Sequence, residues 1–230
     1  MMGSNHPLFM CLLMSYCYRL KLCYNNSMIN TIDYYNKNYE PFIQSTRDVV
    51  FNSTQDKFLD KVSNAFSNTK PKNISLIDFG CGSGRDVKYF KDKGFSIEAI
   101  DGCAELCKAA SDYSGVEVKE VLFQDWKPSH QFHGIWACAS ILHLPKNELL
   151  DVLKTLSLSL IENGILYTSF KYSDFEGERH GRYFTDFTED SFKTFISVIK
   201  ELKIIDYWIS SDARPNRENE KWLNLILQRQ

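Results

Sequence analysis

One stretch constrains this chain more than any other: Leu76-Ile77-Asp78-Phe79-Gly80-Cys81-Gly82-Ser83-Gly84-Arg85-Asp86. A short apolar run meets a glycine-rich turn, and a helix-like pattern starts at once behind it. Gly80, Gly82 and Gly84 carry no Cβ, so the backbone can take positive φ and a ligand can approach it closely. The first N–H groups of the helix behind the turn lack intrahelical partners and carry partial positive charge. An anionic group or a nucleoside can rest on bare main chain there. The stretch reads as a nucleotide-type cofactor site in a parallel α/β sheet.

The rest of the chain is compatible with one domain around that turn. Its 230 residues, 43% hydrophobic and 24% charged, match an ordinary globular domain and exclude wholesale disorder. A net charge of −2 supplies no broad basic field for sequence-independent binding to nucleic acid. Cys11, Cys17 and Cys23 fall in an N-terminal tail; Cys81, Cys103, Cys107 and Cys138 fall in the domain. An odd count with no Cys-x-x-Cys pair argues for free thiols and a reducing, cytoplasmic setting. His130, His133 and His180 share no ligand spacing, so no metal site is expected.

Residues 1–27 differ in character from the rest of the chain. The apolar run Leu8 to Tyr18 is too short to span a bilayer. Arg19 and Lys21 come after it, whereas a secretory signal carries its basic residues in front. We expect a disordered extension over 1–27, with a membrane-touching or regulatory tail as the alternative. A single domain is expected over 28–230, with 28–70 as a helical lid.

In chain order, the tyrosine-rich segment 33–50, broken by Pro41, predicts one or two short helices. A helix over about 54–67 is capped by Ser53 or Thr54. Strands are expected at the glycine turn, at Phe95 to Ile100, Val116 to Phe123, Phe132 to Ala139, Ile165 to Phe170, Ile204 to Ile209 and Trp222 to Gln228. Helices come directly after the glycine turn, surround Leu106 to Ala110, run from Leu149 to Ile161, and lie near 188–200. A polar loop covers Lys171 to Asp186. Alternating strand and helix predicts a doubly wound, Rossmann-like parallel sheet covered on both faces. The last two strands have no helix between them, so one of them is antiparallel.

In such sheets ligands bind beyond the carboxyl ends of the strands. The second strand ends at Asp101, suited to ribose hydroxyls and equally suited to capping a helix. The third leads to Asp125 and Trp126, a carboxylate and a ring for an adenine. The fourth delivers Cys138 to His143 where a reacting group lies.

The run Asp78 to Gly84, then Asp101, then Asp125, then Ile135 to Ser140, resembles the class I S-adenosylmethionine-dependent methyltransferases, within them the small stand-alone enzymes of the tellurite-resistance and ubiquinone-biosynthesis type. The resemblance spans roughly Tyr34 to Arg229. It implies a seven-stranded sheet with an antiparallel last strand and S-adenosyl-L-methionine as cofactor. The methionine moiety then lies over Gly80, Cys81, Gly82, Ser83 and Gly84, near Asp78. Asp101 then holds the ribose and Asp125 with Trp126 the adenine, with Gly102, Cys103 and Cys138 as further cofactor candidates. Separately, the tyrosine-rich lid around Tyr34, Tyr35 and Tyr39 is expected to close over the sulfonium by cation–π contact, and Arg47 to meet the cofactor carboxylate.

Two loops are expected to hold the acceptor, 171–186 and 211–222. They carry Arg179, Arg182, Arg214 and Arg217 with Tyr172, Tyr183 and Trp222, and guanidinium groups match carboxylates and phosphates. The alternative is that these arginines pair with their own loops' carboxylates. His143 and Tyr183 are the candidate catalytic side chains. Methyl transfer to a small, anionic acceptor by in-line displacement is the expected function, in a monomer or homodimer without membrane contact. An RNA methyltransferase, a nicotinamide oxidoreductase and a non-catalytic cofactor-binding module are the alternatives.

Overall fold

The structure, a computed structural model, describes residues 31–230. The expectations for residues 1–27, including Cys11, Cys17 and Cys23, lie outside the described residues. Helix α1 covers 31–46. Next along the chain are α2 (Asn52–Ala65), β1 (Ser75–Phe79), α3 (Arg85–Asp92), β2 (Ser96–Asp101), α4 (Ala104–Ser114), β3 (Val118–Glu120) and β4 (Phe132–Ala137). Then come α5 (Lys146–Ser159), β5 (Leu160–Lys171), β6 (Glu176–Arg179), β7 (Arg182–Thr185), α6 (Glu189–Ile196), β8 (Leu202–Ser211) and β9 (Lys221–Arg229).

Seven strands form one sheet in the order β3-β2-β1-β4-β5-β9-β8. The pairs β3–β2, β2–β1, β1–β4 and β4–β5 are parallel, and β9 runs antiparallel to both β5 and β8. The order reverses between β1 and β4, which opens the crevice where a ligand binds.

Side chains alternate across each strand, and the core divides accordingly. On one face Ile77, Phe79, Ile135, Ala137 and Leu166 pack with Leu149, Leu153 and Leu156 of α5 and Phe192 of α6. On the other, Leu76, Trp136, Ile165 and Tyr167 pack with Phe58, Leu59 and Val62 of α2 and Phe90 of α3. Trp136 and Tyr167 are register partners and stack at 4.0 Å. Strands covered on both sides read as apolar runs, which is why β1 and β4 are legible in the sequence.

Several boundaries differ from the sequence expectation. Pro41 does not break α1, which runs through it. Phe51 precedes α2 without a side-chain cap, in place of Ser53 or Thr54. The third strand contracts to Val118–Glu120 and the helix near 188–200 to α6, opened by a Thr188–Ser191 capping box. The expected polar loop 171–186 contains the hairpin β6–β7, turned at His180 and Gly181, both at positive φ. Among the described residues no helix is long and apolar enough to cross a membrane.

Candidate active site

A cavity of about 570 Å³ opens at the carboxyl ends of β1, β2, β4 and β5, roofed by α1 and walled by the β6–β7 hairpin and the segment between β8 and β9. That volume suits a cofactor with a small second ligand.

The glycine turn forms its floor. Gly80 and Gly82 have φ of 91° and 53°. A Cβ on Gly80 would sit 2.4 Å from Ser140 Cβ, and one on Gly82 3.0 Å from the Phe42 ring. The turn is tied to β2: Gly80 N–H and Cys81 N–H donate to Ile100 O at 3.0 Å each, and Gly82 N–H donates to Asp101 Oδ2 at 2.9 Å. Cys103 N–H donates to Asp101 Oδ1 at 2.9 Å. Burial pushes the Asp101 carboxyl up, and those N–H groups pull against it.

Two buried acceptor oxygens beside the turn, Asp78 Oδ2 and Gln55 Oε1, have no donor. Burial, with Asp86 adding, pushes the Asp78 carboxyl well above its ordinary range. Ala139 holds φ of 50° at the end of β4, its N–H donating to Ser169 Oγ at 2.9 Å. Backbone strain of this kind gathers at functional sites.

His143 comes after β4 and lines the cavity, buried. Its Nδ1 lies 2.6 Å from Tyr183 O, which can only accept, so the ring proton is on Nδ1. Its Nε2 therefore accepts from the Tyr35 hydroxyl at 3.0 Å. Arg182 Nη1 in turn donates to Tyr35 Oη at 3.3 Å. Burial pushes the imidazole down to about 4, the Tyr183 bond opposing and Arg182 and Arg179 adding, so the ring is neutral.

The sequence candidates divide into two groups. Tyr35, Gly80, Cys81, Gly82, Ser83, Asp101, Gly102, Cys138, His143, Tyr172, Arg179, Arg182, Arg214, Arg217 and Trp222 all line the cavity. Burial drives Cys138 up to about 12 and Cys81 well upward, so both thiols stay protonated. The remaining candidates lie elsewhere. Gly84 faces α4, where a Cβ would meet Ala110 Cα at 2.9 Å; its role in the structure is packing. Asp125 is exposed, and Trp126 enters the core against Phe79 at 5.1 Å, because a large apolar ring gains more inside than at the rim. Leu122 and Phe123 take the wall position expected of that pair.

Arg47 lies over the Tyr113 ring at 4.4 Å and donates to Ala109 O and Ser83 O. Cys103 Sγ donates to Asn36 Oδ1 at 2.9 Å, beneath α1. Tyr183 offers its backbone carbonyl to His143, while its hydroxyl donates to Glu176 Oε1 at 3.3 Å. Asp78 lies behind the turn and off the cavity wall.

The cavity arginines are not equivalent. Arg179 donates to Asp186 at 2.7 Å, Arg214 to Asp212 at 2.6 Å and Arg217 to Glu220 at 2.5 Å. Asp212 also accepts from Trp222 Nε1 at 3.1 Å and Lys171 at 3.3 Å. Although burial opposes it, the Arg214 bonds hold the Asp212 carboxyl below the usual range. Arg182 pairs with no carboxylate among the described residues. It lies over the rings of Tyr34 and Phe184 at 4.5 and 5.1 Å, and its buried Nε has no hydrogen-bond partner. Ser169 is a cavity residue that the sequence did not single out. The signal for it was its place near the end of an apolar strand.

The chain and its fold have counterparts among known proteins. The model of the methyltransferase-domain family matches residues 51–208, and the chain belongs to that family. Its class is the class I S-adenosylmethionine-dependent methyltransferases. An uncharacterized methyltransferase of Staphylococcus carnosus is 27% identical over 56% of this chain and 66% of its own length. An N-terminal Xaa-Pro-Lys N-methyltransferase of Xenopus tropicalis is 30% identical over 48% of this chain and 53% of its own. The chain thus spans less than two thirds of each of these curated relatives. An S-adenosylmethionine-dependent methyltransferase from Clostridium acetobutylicum shares the fold at a TM-score of 0.61, with 15% identity over 84% of this chain and 98% of that one.

Proposed function

We propose that the protein transfers a methyl group from S-adenosylmethionine to a small acceptor bearing an anionic group, and that Arg182 receives that group. The observation that carries this reading is the unmatched guanidinium of Arg182 in the cavity wall. On the acceptor side, the lining cations Lys171, Arg179, Arg182, Arg214, Arg217 and Lys221 face the carboxylates Asp186, Asp212 and Glu220, a surplus of three positive charges. On the cofactor side, Arg85 faces Asp86 and Asp101, a surplus of one negative charge. That polarity fits a cationic donor and an anionic acceptor.

The residues present fit the cofactor. Gly80 and Gly82 hold the turn at positive φ, packed against Ser140 and Phe42, and their main chain lines the cavity. Asp101, which lines the cavity, suits ribose hydroxyls. Leu122, Phe123 and Gly102 supply apolar surface for a purine. When bound, S-adenosylmethionine supplies an electrophilic methyl group on a good, neutral leaving group. The protein's own part is alignment and exclusion of water: α1 closes the roof and Arg182 fixes the acceptor's anionic end.

The test is labelled methyl transfer into a small-molecule extract, with kinetics then measured on the product's precursor. Arg182→Ala should raise the acceptor KM by about 30-fold, the loss of one charge-assisted bond of roughly 2 kcal/mol. Arg214→Ala, whose charge is already matched, should change it by less than about threefold. Unchanged kinetics in Arg182→Ala refutes the reading.

A further inference from the structure

The Tyr35 hydroxyl sits at the seam between the two halves of the cavity. It accepts from Arg182 Nη1 at 3.3 Å and donates to His143 Nε2 at 3.0 Å. Its ionisation feels Arg182 from the acceptor side and Asp101 from the cofactor side. The cavity that Tyr35 lines also holds Gly80 and Gly82 of the glycine turn. A single oxygen thus satisfies, in the resting protein, one donor and one acceptor that both face the reaction space.

We propose that the Tyr35 hydroxyl is an internal surrogate for the acceptor, which is a free α-amino acid whose carboxylate takes the Arg182 bond and whose amine donates to His143 Nε2. The proposal rests on the anionic-acceptor reading above and sharpens it. The geometry limits the reacting end of the ligand. Two bonds meeting at one oxygen keep Arg182 Nη1 and His143 Nε2 no farther apart than those two lengths laid end to end. An anionic oxygen and a protic nucleophile that are near neighbours, as across one carbon of an α-amino acid, can replace the phenol and reach both groups at once.

Nitrogen is favoured over oxygen by the electrostatics. Arg182 and Arg179, which help keep His143 neutral, equally disfavour an ammonium ion beside it. The bound amine therefore sheds its extra proton to bulk water, donates one N–H to Nε2, and keeps its lone pair. An aliphatic hydroxyl in the same place would hold its proton. Displacing Tyr35 also removes one of the contacts that seat α1, alongside Tyr183 N–H to Thr31 Oγ1 at 3.1 Å and Cys103 Sγ to Asn36 at 2.9 Å. Acceptor entry and loosening of the roof are then one event.

The test uses the full chain saturated with S-adenosylhomocysteine and labelled with 15N-histidine. It is titrated with each of the twenty common amino acids, with glycinamide, and with glycolate and lactate. At least one free amino acid should bind by calorimetry and move the His143 Nε2 resonance, with glycinamide and the hydroxy acids at least tenfold weaker. Tyr35→Phe, which deletes only the surrogate oxygen, should bind that amino acid about fivefold tighter, the equivalent of one neutral hydrogen bond no longer in competition. Three results overturn the inference: no response from any amino acid, equal binding of a hydroxy acid, or equal or weaker binding by Tyr35→Phe. The wild-type resonance decides the matter even should the variant fold poorly. Such a failure leaves the anionic-acceptor reading standing, provided Arg182→Ala still loses the true acceptor. An Arg182→Ala enzyme indifferent to its acceptor's charge sinks that reading instead.

Discussion

His143 is a buried ring with both nitrogens engaged, and its cost appears as a pH dependence. Folding lowers its pKa from 6.5 to about 4, chiefly by burial. A proton therefore binds the unfolded chain more readily than the folded one between those values. The stability that the neutral ring retains is fully present above about pH 6.5 and is lost as pH falls toward 4. A shift of this size corresponds to roughly 3 kcal/mol. The acidic limb of a denaturant-derived stability profile should therefore flatten in His143→Gln, whose amide keeps a donor for Tyr183 O and an acceptor for Tyr35. Tyr35 faces the ring with its hydroxyl pushed up by burial, away from this window, and leaves the limb in place. A His143→Gln profile parallel to wild type between pH 4 and 6.5 would show that the imidazole is not the group responsible.

At the scale of elements, Asp86 is the point where helices meet sheet. It lies in the first turn of α3 and accepts from Gln55 Nε2 of α2 at 2.6 Å, Arg85 Nε at 2.7 Å and Trp136 Nε1 of β4 at 2.9 Å. Asp86→Ala strands these donors in a buried site, and we expect a loss of about 3–5 kcal/mol. For a chain of this length that is roughly a 10 °C fall in Tm by calorimetry. Trp136→Phe, which removes one donor together with its ring nitrogen, should cost less than half as much. The sequence foretold this junction only in outline. β1, its glycine turn and β4 are legible because strands buried on both faces need continuous apolar residues. The β6–β7 hairpin is not, because Glu176 to Thr185 mixes charges and aromatics that satisfy one another across the pair and on the cavity side. Nor is α1 past Pro41: the tertiary contacts of Tyr35, Asn36 and Phe42 with the site hold a helix that local propensity interrupts. Trp126 misleads for a related reason, since a ring next to a polar turn reads as a ligand face until Phe79 and Phe132 are seen to receive it.

At the scale of the molecule, a chain of net charge −2 carries a cavity whose two ends have opposite sign. Neither composition nor motif spacing shows this separation, because it arises when β5, the hairpin and the β8–β9 segment converge. It has a consequence in salt. The Debye length falls from about 10 Å at 0.1 M to about 3 Å at 1 M, so attraction from unmatched charges at an open mouth is screened while contacts inside are not. With three surplus positive charges on the acceptor side, the acceptor KM should rise about five- to tenfold over that range, mostly through slower association. The cofactor side has a surplus of one negative charge beneath a closed roof, and cofactor affinity by equilibrium dialysis should weaken by no more than about twofold. Arg182→Gln should lessen the acceptor's salt slope while leaving the cofactor's unchanged, because it removes one of the three surplus charges and touches nothing on the glycine-turn side. Equal salt slopes for the two ligands in the wild-type protein would mean that the cavity does not separate charge as its lining residues indicate, and that the acceptor is held by contacts other than its anionic group.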